Sequence, residues 1–178
     1  SVYLKERGLA KETIKNFRIG FAPDGWSSVL EHLKEKGFKE KQIENTGLIK
    51  KGDKGYYDRF RSRIMFPITD SVGRVVAFSG RIFVKEHEQP DENQTKQAKY
   101  INSPETALYH KSKILYGYDR ARQAIRKANF AILVEGQMDL IATHQVKYTN
   151  TVALSGTALT PEHITLLGRM SKNLCIAL

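Results

Sequence analysis

Glu135 stands at the end of the apolar run from Ala131 to Val134, is followed at once by Gly136, and has Asp139 four residues on. A carboxylate carried to the tip of a buried strand can bind a hard cation such as Mg²⁺ through oxygen, or relay a proton. A plainer reading, in which Glu135 only caps the helix that follows, stays open on these residues alone. Asp139, early in that helix, either complements its positive end or points back toward the strand tips. A second set of groups is cationic. DRFRSRIMFPI (58–68) read as an extended strand places Arg59, Arg61 and Arg63 on one face and Phe60, Ser62, Ile64 and Phe66 on the other. Like charges along one face repel each other unless an anion or carboxylates offset them. The guanidinium fork suits phosphate better than an ammonium does. The alternative is that one arginine pairs with Asp58 or Asp70 and the others are solvated. Arg81 follows Ser79-Gly80, and KYINSPET (99–106) adds Lys99, fit to hold a phosphate, and Tyr100, fit to stack on a base.

The charge is distributed to match. The 178 residues carry a net +10; Ser1 to Asn129 hold 26 Lys and Arg against 16 Asp and Glu, and Phe130 to Leu178 hold three of each. A basic segment joined to a neutral one suggests a polyanion platform attached to a different module. A hydrophobic content of 40 % with 8 Phe and 8 Tyr is ample for a packed core. The single cysteine, Cys175, excludes a disulfide framework, and inside NLCIAL it reads as core. No run approaches the ~20 apolar residues of a membrane span, and SVYLKERGL lacks the apolar stretch of a signal peptide, so a cytoplasmic protein is expected.

The elements that must position these groups change style along the chain. KETIKNF and WSSVLEHLKEKG read as helices, the second with Trp26, Val29, Leu30 and Leu33 on one core-facing side and Gly37 as its stop. Gly52 to Gly55 reads as a hairpin turn and Ser71 to Gly73 as a second turn, giving antiparallel strands. Residues 85–98 are polar throughout and read as a surface loop. Ser103 is expected to cap a short helix begun by Pro104, with a longer helix from about Tyr118 to Lys127. From there strand and helix alternate: FAILVEG, QMDLIATHQ, NTVALSG, a helix capped by Thr160 and started by Pro161, then NLCIAL. Apolar strands separated by short helices indicate a parallel sheet, whose ligands sit outside the carboxyl ends of its strands. Glu135 lies at such an end. The expected architecture is α/β, with a basic mixed α+β subdomain over 1–128 and a parallel-sheet domain from 129 to 178.

The set YLKERGL (3–9), IGFAPDGW (19–26), YDRFRSRIMFPI (57–68), GRVVAFSGR (73–81), KYINSPET (99–106), LYG (115–117), EGQMD (135–139) and LSGTALT (154–160) resembles, in this order, the catalytic core of the bacterial replicative primase, the DnaG family. The resemblance implies a basic amino-terminal subdomain joined to the first part of a Toprim domain, the metal-binding α/β module shared with topoisomerases. It implies an enzyme that copies single-stranded DNA into a short RNA primer from ribonucleoside triphosphates, with Mg²⁺ or Mn²⁺ as its metal. Glu135 would be the Toprim catalytic acid, near the metal, and Asp139 the acid that follows it. Arg7, Arg59, Arg61, Arg81 and Lys99 would line the groove for template, RNA–DNA hybrid or nucleotide phosphates, with Tyr100 and Asn102 beside it. Arg63 joins them on strand geometry alone.

Gln137 departs from the family, which usually has an aromatic residue there. Further metal ligands, in an Asp-x-Asp motif, are expected past Leu178, as are a separate zinc-binding domain before this core and a helicase-binding domain after it. On that expectation the 178 residues alone are inactive, and the chain is a monomer. Two other readings use the same residues: a topoisomerase-like or nuclease-like Toprim enzyme, and a basic nucleic-acid-binding module without catalysis.

Overall fold

The computed structural model describes residues 2–83 and 98–177, so most of the polar segment 85–98 lies outside the described residues. The chain opens with two short helices, α1 (Val2–Glu6) and α2 (Lys11–Asn16), and a strand β1 (Gly20–Ala22). Helices α3 (Ser28–Glu35) and α4 (Glu40–Asn45) precede a hairpin of β2 (Ile49–Gly52) and β3 (Gly55–Asp58), in which Gly52 faces Gly55 across the turn. Next come β4 (Arg63–Thr69), β5 (Val75–Ile82) and β6 (Tyr100–Asn102), and they complete a sheet ordered β1-β4-β5-β6. The longer helix falls where the sequence places it, as α5 (Tyr118–Ala128). It leads into β7 (Ala131–Val134), α6 (Gln137–Gln145), β8 (Thr151–Ala153), α7 (Pro161–Gly168) and β9 (Leu174–Ala177).

These elements divide into two compact units: one holds 1–18, 67–76 and 109–178, and the other holds 19–66 and 77–108. In the first, β7 runs parallel to both β8 and β9 and lies between them. Its core gathers Leu115, Tyr118, Ala121 and Ile125 from α5 and the segment before it against Ala131, Leu133, Val152 and Leu167. Helix α5 thus packs with the parallel sheet, although its charges resemble those of the basic segment before it. Its buried face is apolar while its solvent face carries Arg122, Arg126 and Lys127, so net charge and core membership part company here. Gly117 precedes α5 at φ +76°, and a Cβ there would lie 2.7 Å from Leu140 Cδ1. Positive φ and close packing together require glycine.

In the second unit, Leu30, Ile43 and Ile49 form one core cluster, with Leu33 and Tyr56 packed against it. The N-terminus of α3 is held from a distance: the buried Asp58 carboxylate accepts the Val29 N–H at 2.7 Å and the Leu30 N–H at 3.1 Å. The hydroxyl of the flanking Ser27 turns to Glu31 instead, at 2.6 Å.

Three expectations are overturned. No helix follows Ser103; its hydroxyl accepts the Phe78 N–H at 3.0 Å and its own N–H donates to Phe78 O, so the residue extends the sheet edge. Cys175 is exposed, because β9 is an edge strand that pairs with β7 on one side only. Trp26 is 64 % exposed, since the helix begins two residues after it. Among the described residues no helix is long and apolar enough to cross a membrane.

Two predictions follow from packing. Asp58→Ala strips two backbone N–H groups of their acceptor and is expected to cost about 1–3 kcal/mol in urea unfolding; an unchanged midpoint would refute the cap. His163 is buried, its Nε2 meeting Lys111 O at 3.1 Å and its Nδ1 accepting the Thr160 N–H at 3.4 Å, and burial holds it below its ordinary value of 6.5. Burial lowers His144 likewise. In both cases the unfolded chain binds the proton more readily, so stability present above 6.5 is lost as pH falls through that value. Urea midpoints at pH 7 and pH 5 check this, with the lower expected at pH 5.

Candidate active site and cationic platform

The acidic site is built by the central strand of the parallel sheet. Buried Leu133 and Val134 fix β7, and the chain then brings Glu135 into solvent at the carboxyl end of that strand. The backbone of Glu135 is itself anchored, for its carbonyl accepts the Ser155 N–H at 3.0 Å from the loop after β8, one residue on from a bond between Leu154 N–H and Val134 O at 3.2 Å. Ser155 and Gly156 sit at φ +58° and +82°, which folds LSGT back against the strand tip.

The backbone conformation of Gly136 does not itself call for glycine. Its φ of −123° and ψ of +163° are ordinary extended values open to any residue. A Cβ on it, however, would stand 3.0 Å from Asp139 Oδ2. The glycine therefore leaves room for the Asp139 carboxylate to fold back over the start of α6. Both Glu135 and Asp139 are exposed, whereas Gln137 between them is buried. Carboxylate oxygens such as these are hard donors of the kind that suits Mg²⁺, an ion that keeps several of its waters. Among the described residues no three His, Cys, Asp or Glu side chains come together as a fuller cage.

The second unit collects the cationic residues, though on a different plan from the one read in the sequence. Extended structure stops at Asp58 and resumes at Arg63, and Ser62 between them adopts φ +47°. The three arginines consequently do not share one strand face. Arg63 turns inward, 3 % exposed, and donates from Nη1 to Gly80 O at 3.0 Å and Ala98 O at 3.1 Å. Burial, reinforced by the neighbouring Arg61 charge, pushes its guanidinium below the usual arginine value. Arg59 spans Asn102 O with Nε at 3.2 Å and Nη2 at 3.0 Å, and burial lowers its value too. Arg81 and Tyr100 are cross-strand partners in the β5–β6 ladder, with the guanidinium carbon 5.6 Å from the ring centre. Lys99 is exposed beside them. The structure thus gathers Arg59, Arg63, Arg81, Lys99, Tyr100 and Asn102 around one sheet edge.

Arg61 takes another direction. Its Nη1 donates to Asp58 O at 3.0 Å, and its guanidinium carbon lies 3.8 Å over the Trp26 ring and 5.4 Å from the Tyr57 ring. Neither acid named as a partner for Arg59, Arg61 or Arg63 is engaged that way: the Asp58 carboxylate caps α3, and Asp70 binds Arg74 Nε at 2.7 Å. Arg7 is exposed in the other unit, just past α1. The residue that sequence reasoning missed is Trp26, assigned to the core by helical spacing. The signal that could have placed it is local: Pro23-Asp24-Gly25 is turn chemistry and Ser27 a natural cap, so Trp26 precedes the helix.

A short parallel sheet with an acidic strand end, in a chain that also carries a cationic antiparallel edge, defines a Toprim-like class of α/β protein, and residues 132–178 match the family described as Toprim-like. Residues 1–122 match the DNA primase catalytic core, N-terminal domain, and the chain belongs to that primase family. It is 45 % identical over 170 residues to the DNA primase of Deinococcus radiodurans, covering 94 % of this chain and 28 % of that protein. Among solved structures, the RNA polymerase domain of Mycobacterium tuberculosis primase DnaG superposes with a TM-score of 0.84 at 40 % identity, covering 94 % of this chain and 52 % of that one. A DnaG primase catalytic domain solved bound to single-stranded DNA gives 0.81 at 40 % identity, over 98 % of this chain and 51 % of the other. The chain therefore spans about a quarter of the curated relative's length and half of each solved chain.

Burial separates two neighbouring arginines in a way that stability can read. Arg63→Ala is expected to cost about 2–4 kcal/mol, because buried carbonyls lose their charged donor. Arg61→Ala should cost under about 1 kcal/mol, the loss of a surface cation–π contact. Equal costs in urea unfolding would contradict these placements.

Proposed function

We propose that this chain is the catalytic-core portion of a DNA primase, which makes short RNA primers on a single-stranded DNA template from ribonucleoside triphosphates in the bacterial cytoplasm. The observation that carries the reading is the position of Glu135: an exposed carboxylate at the carboxyl end of the central parallel strand, in a chain of the primase family. The domain division follows the same reading, with 1–128 as platform and 129–178 as the start of the Toprim domain.

In the reaction the 3′-hydroxyl oxygen of one nucleotide attacks the α-phosphorus of the next; a P–O bond forms, the bond to the β-phosphate oxygen breaks, and pyrophosphate leaves. Glu135 and Asp139 would hold Mg²⁺ or Mn²⁺ together with acids beyond this chain, and a bound divalent ion neutralises charge on the reacting phosphates. Glu135 additionally orients the attacking hydroxyl and receives its proton. Arg59, Arg61, Arg81 and Lys99 would bind phosphates of template, hybrid or incoming nucleotide, with Tyr100 and Asn102 beside them, and Arg7 is proposed as a further phosphate contact. Arg63 supports that edge from inside by holding its carbonyls. The intact protein would reach the replicative helicase and a zinc-binding domain through parts outside these residues, and would act as a monomer.

The test is RNA synthesis on single-stranded DNA with ribonucleoside triphosphates and Mg²⁺, by a chain extended through the remaining acids, beside Glu135→Gln. The parent should yield short RNA and the variant less than about one-hundredth as much, with DNA binding retained. Binding should weaken with salt along a log–log slope of roughly 0.7 per phosphate neutralised. DNA cleavage without RNA would point instead to a topoisomerase-like or nuclease-like activity, and salt-insensitive binding would remove the platform.

A further inference from the structure

Gln145, the last residue of α6, has no part in the site described above, yet both ends of its amide are engaged. Its Nε2 donates to Gly8 O and its Oε1 accepts the Ala10 N–H, each at 2.8 Å, from 137 and 135 residues away in sequence. These two bonds clasp the turn between α1 and α2. Helices of five and six residues do not persist in water by themselves, and Ala10 offers α2 no side-chain cap. The Gln145 amide supplies the missing partner. Within the turn, Leu9 N–H donates to Leu4 O at 2.9 Å and Gly8 N–H to Lys5 O at 2.8 Å, the paired bonds that end a helix at a left-handed glycine, here at φ +79°. Leu4 and Leu9 are both buried. The far end of α2 is held as well, for Arg120 Nη2 donates to Asn16 O at 2.6 Å and the guanidinium lies 4.6 Å over the Phe17 ring.

Arg7 stands between the end of α1 and Gly8, so its backbone is fixed on both sides while its side chain stays in solvent. We infer that Gln145 is a positioning residue that presents the Arg7 guanidinium to a phosphate, acting through the turn at residues 8–10. The inference rests on the primase reading, under which Arg7 is a phosphate contact, and adds to it the residue that sets where Arg7 stands. One helix carries both references: Asp139 lies in the first turn of α6 and Gln145 at its end, about 9 Å apart along the axis. The clasped turn and α6 belong to the same compact unit. A guanidinium on a loose segment loses conformational freedom when it grips a phosphate, and tying its backbone beforehand removes part of that cost. An amide suits the task because it offers a donor and an acceptor together, matching the carbonyl and the N–H of the turn; a carboxylate or an ammonium would satisfy one and oppose the other. Being neutral, it does not compete for the Arg7 charge. A phosphate of the nucleic-acid strand and one of the incoming nucleotide present the same chemistry, and the test separates them.

The test compares the intact protein with Arg7→Ala, Gln145→Ala and the double variant by two readouts: the salt dependence of affinity for oligo(dT), and KM for ribonucleoside triphosphates in RNA synthesis. Each single variant is expected to lose roughly tenfold in one of these, and the double variant no more than about twofold beyond either single, because Gln145 acts through Arg7. If the phosphate belongs to the strand, the log–log salt slope falls by roughly 0.7 in both single variants and no further in the double. If it belongs to the nucleotide, KM rises in all three and the slope stays. Losses that multiply in the double variant, or a Gln145→Ala protein with parental slope and KM, would overturn the positioning role and leave the primase reading standing. Parental values in Arg7→Ala would overturn it with α6 untouched. Where Gln145→Ala fails to fold, Gln145→Met, which keeps the length of the side chain without its amide, replaces it in the cycle. A parent that neither binds oligo(dT) nor makes RNA would overturn both readings.

Discussion

Asp58 is the residue on which the second unit depends. Its carboxylate, 2 % exposed, closes the N-terminus of α3. Its N–H fixes Trp26 and its carbonyl steers Arg61. One residue at the end of a hairpin strand thus joins a helix, an indole and a guanidinium. A buried carboxylate is tolerated only with such compensation, because desolvating it without donors costs several kcal/mol. The donors it finds are backbone groups at the positive end of a helix, which cannot wander as an arginine side chain can.

The parallel sheet solves the opposite problem, holding a carboxylate in water while keeping its backbone rigid. Val134 of strand β7 is buried and Glu135 is exposed, so the change from core to solvent at the strand tip falls between adjacent residues. The loop after β8 ties down the Glu135 carbonyl at 3.0 Å, leaving the side chain as the free element. Gly136 then admits the Asp139 carboxylate where any Cβ would crowd it. Position is supplied by backbone pairing, and chemistry by side chains that the core never touches.

Much of this was legible in the sequence, and most misses have a physical cause. Helix α5, the strand–helix alternation after residue 130, the Thr160 cap and the 52–55 turn are local patterns, set by periodicity and turn chemistry within a few residues. Arg63 and Ser103 were misjudged because their environment is tertiary, and Trp26 because the local turn before α3 was overlooked. Alternation over 59–63 assumes continuous extended backbone, and the left-handed Ser62 breaks that period, sending Arg63 inward to carbonyls on β5 and before β6. Ser103 carries a cap signature, but Phe78 claims its hydroxyl from 25 residues away. No window of sequence contains that competition.

The charge partition observed at the outset acquires a physical reason from the site. Between Ala128 and Val146 the chain has no lysine or arginine, and Glu135 and Asp139 are its only acids. A guanidinium on α6 or on the strand tip would pair with these carboxylates and compete with a divalent cation for the same oxygens. The second unit carries the complementary arrangement, in which Arg59 and Arg61 are satisfied by carbonyls and aromatic rings. The proposed polymerase chemistry needs both kinds of group at once, and each must be kept from neutralising the other. Neutral partners on one side and a stretch free of cations on the other achieve that separation within 178 residues.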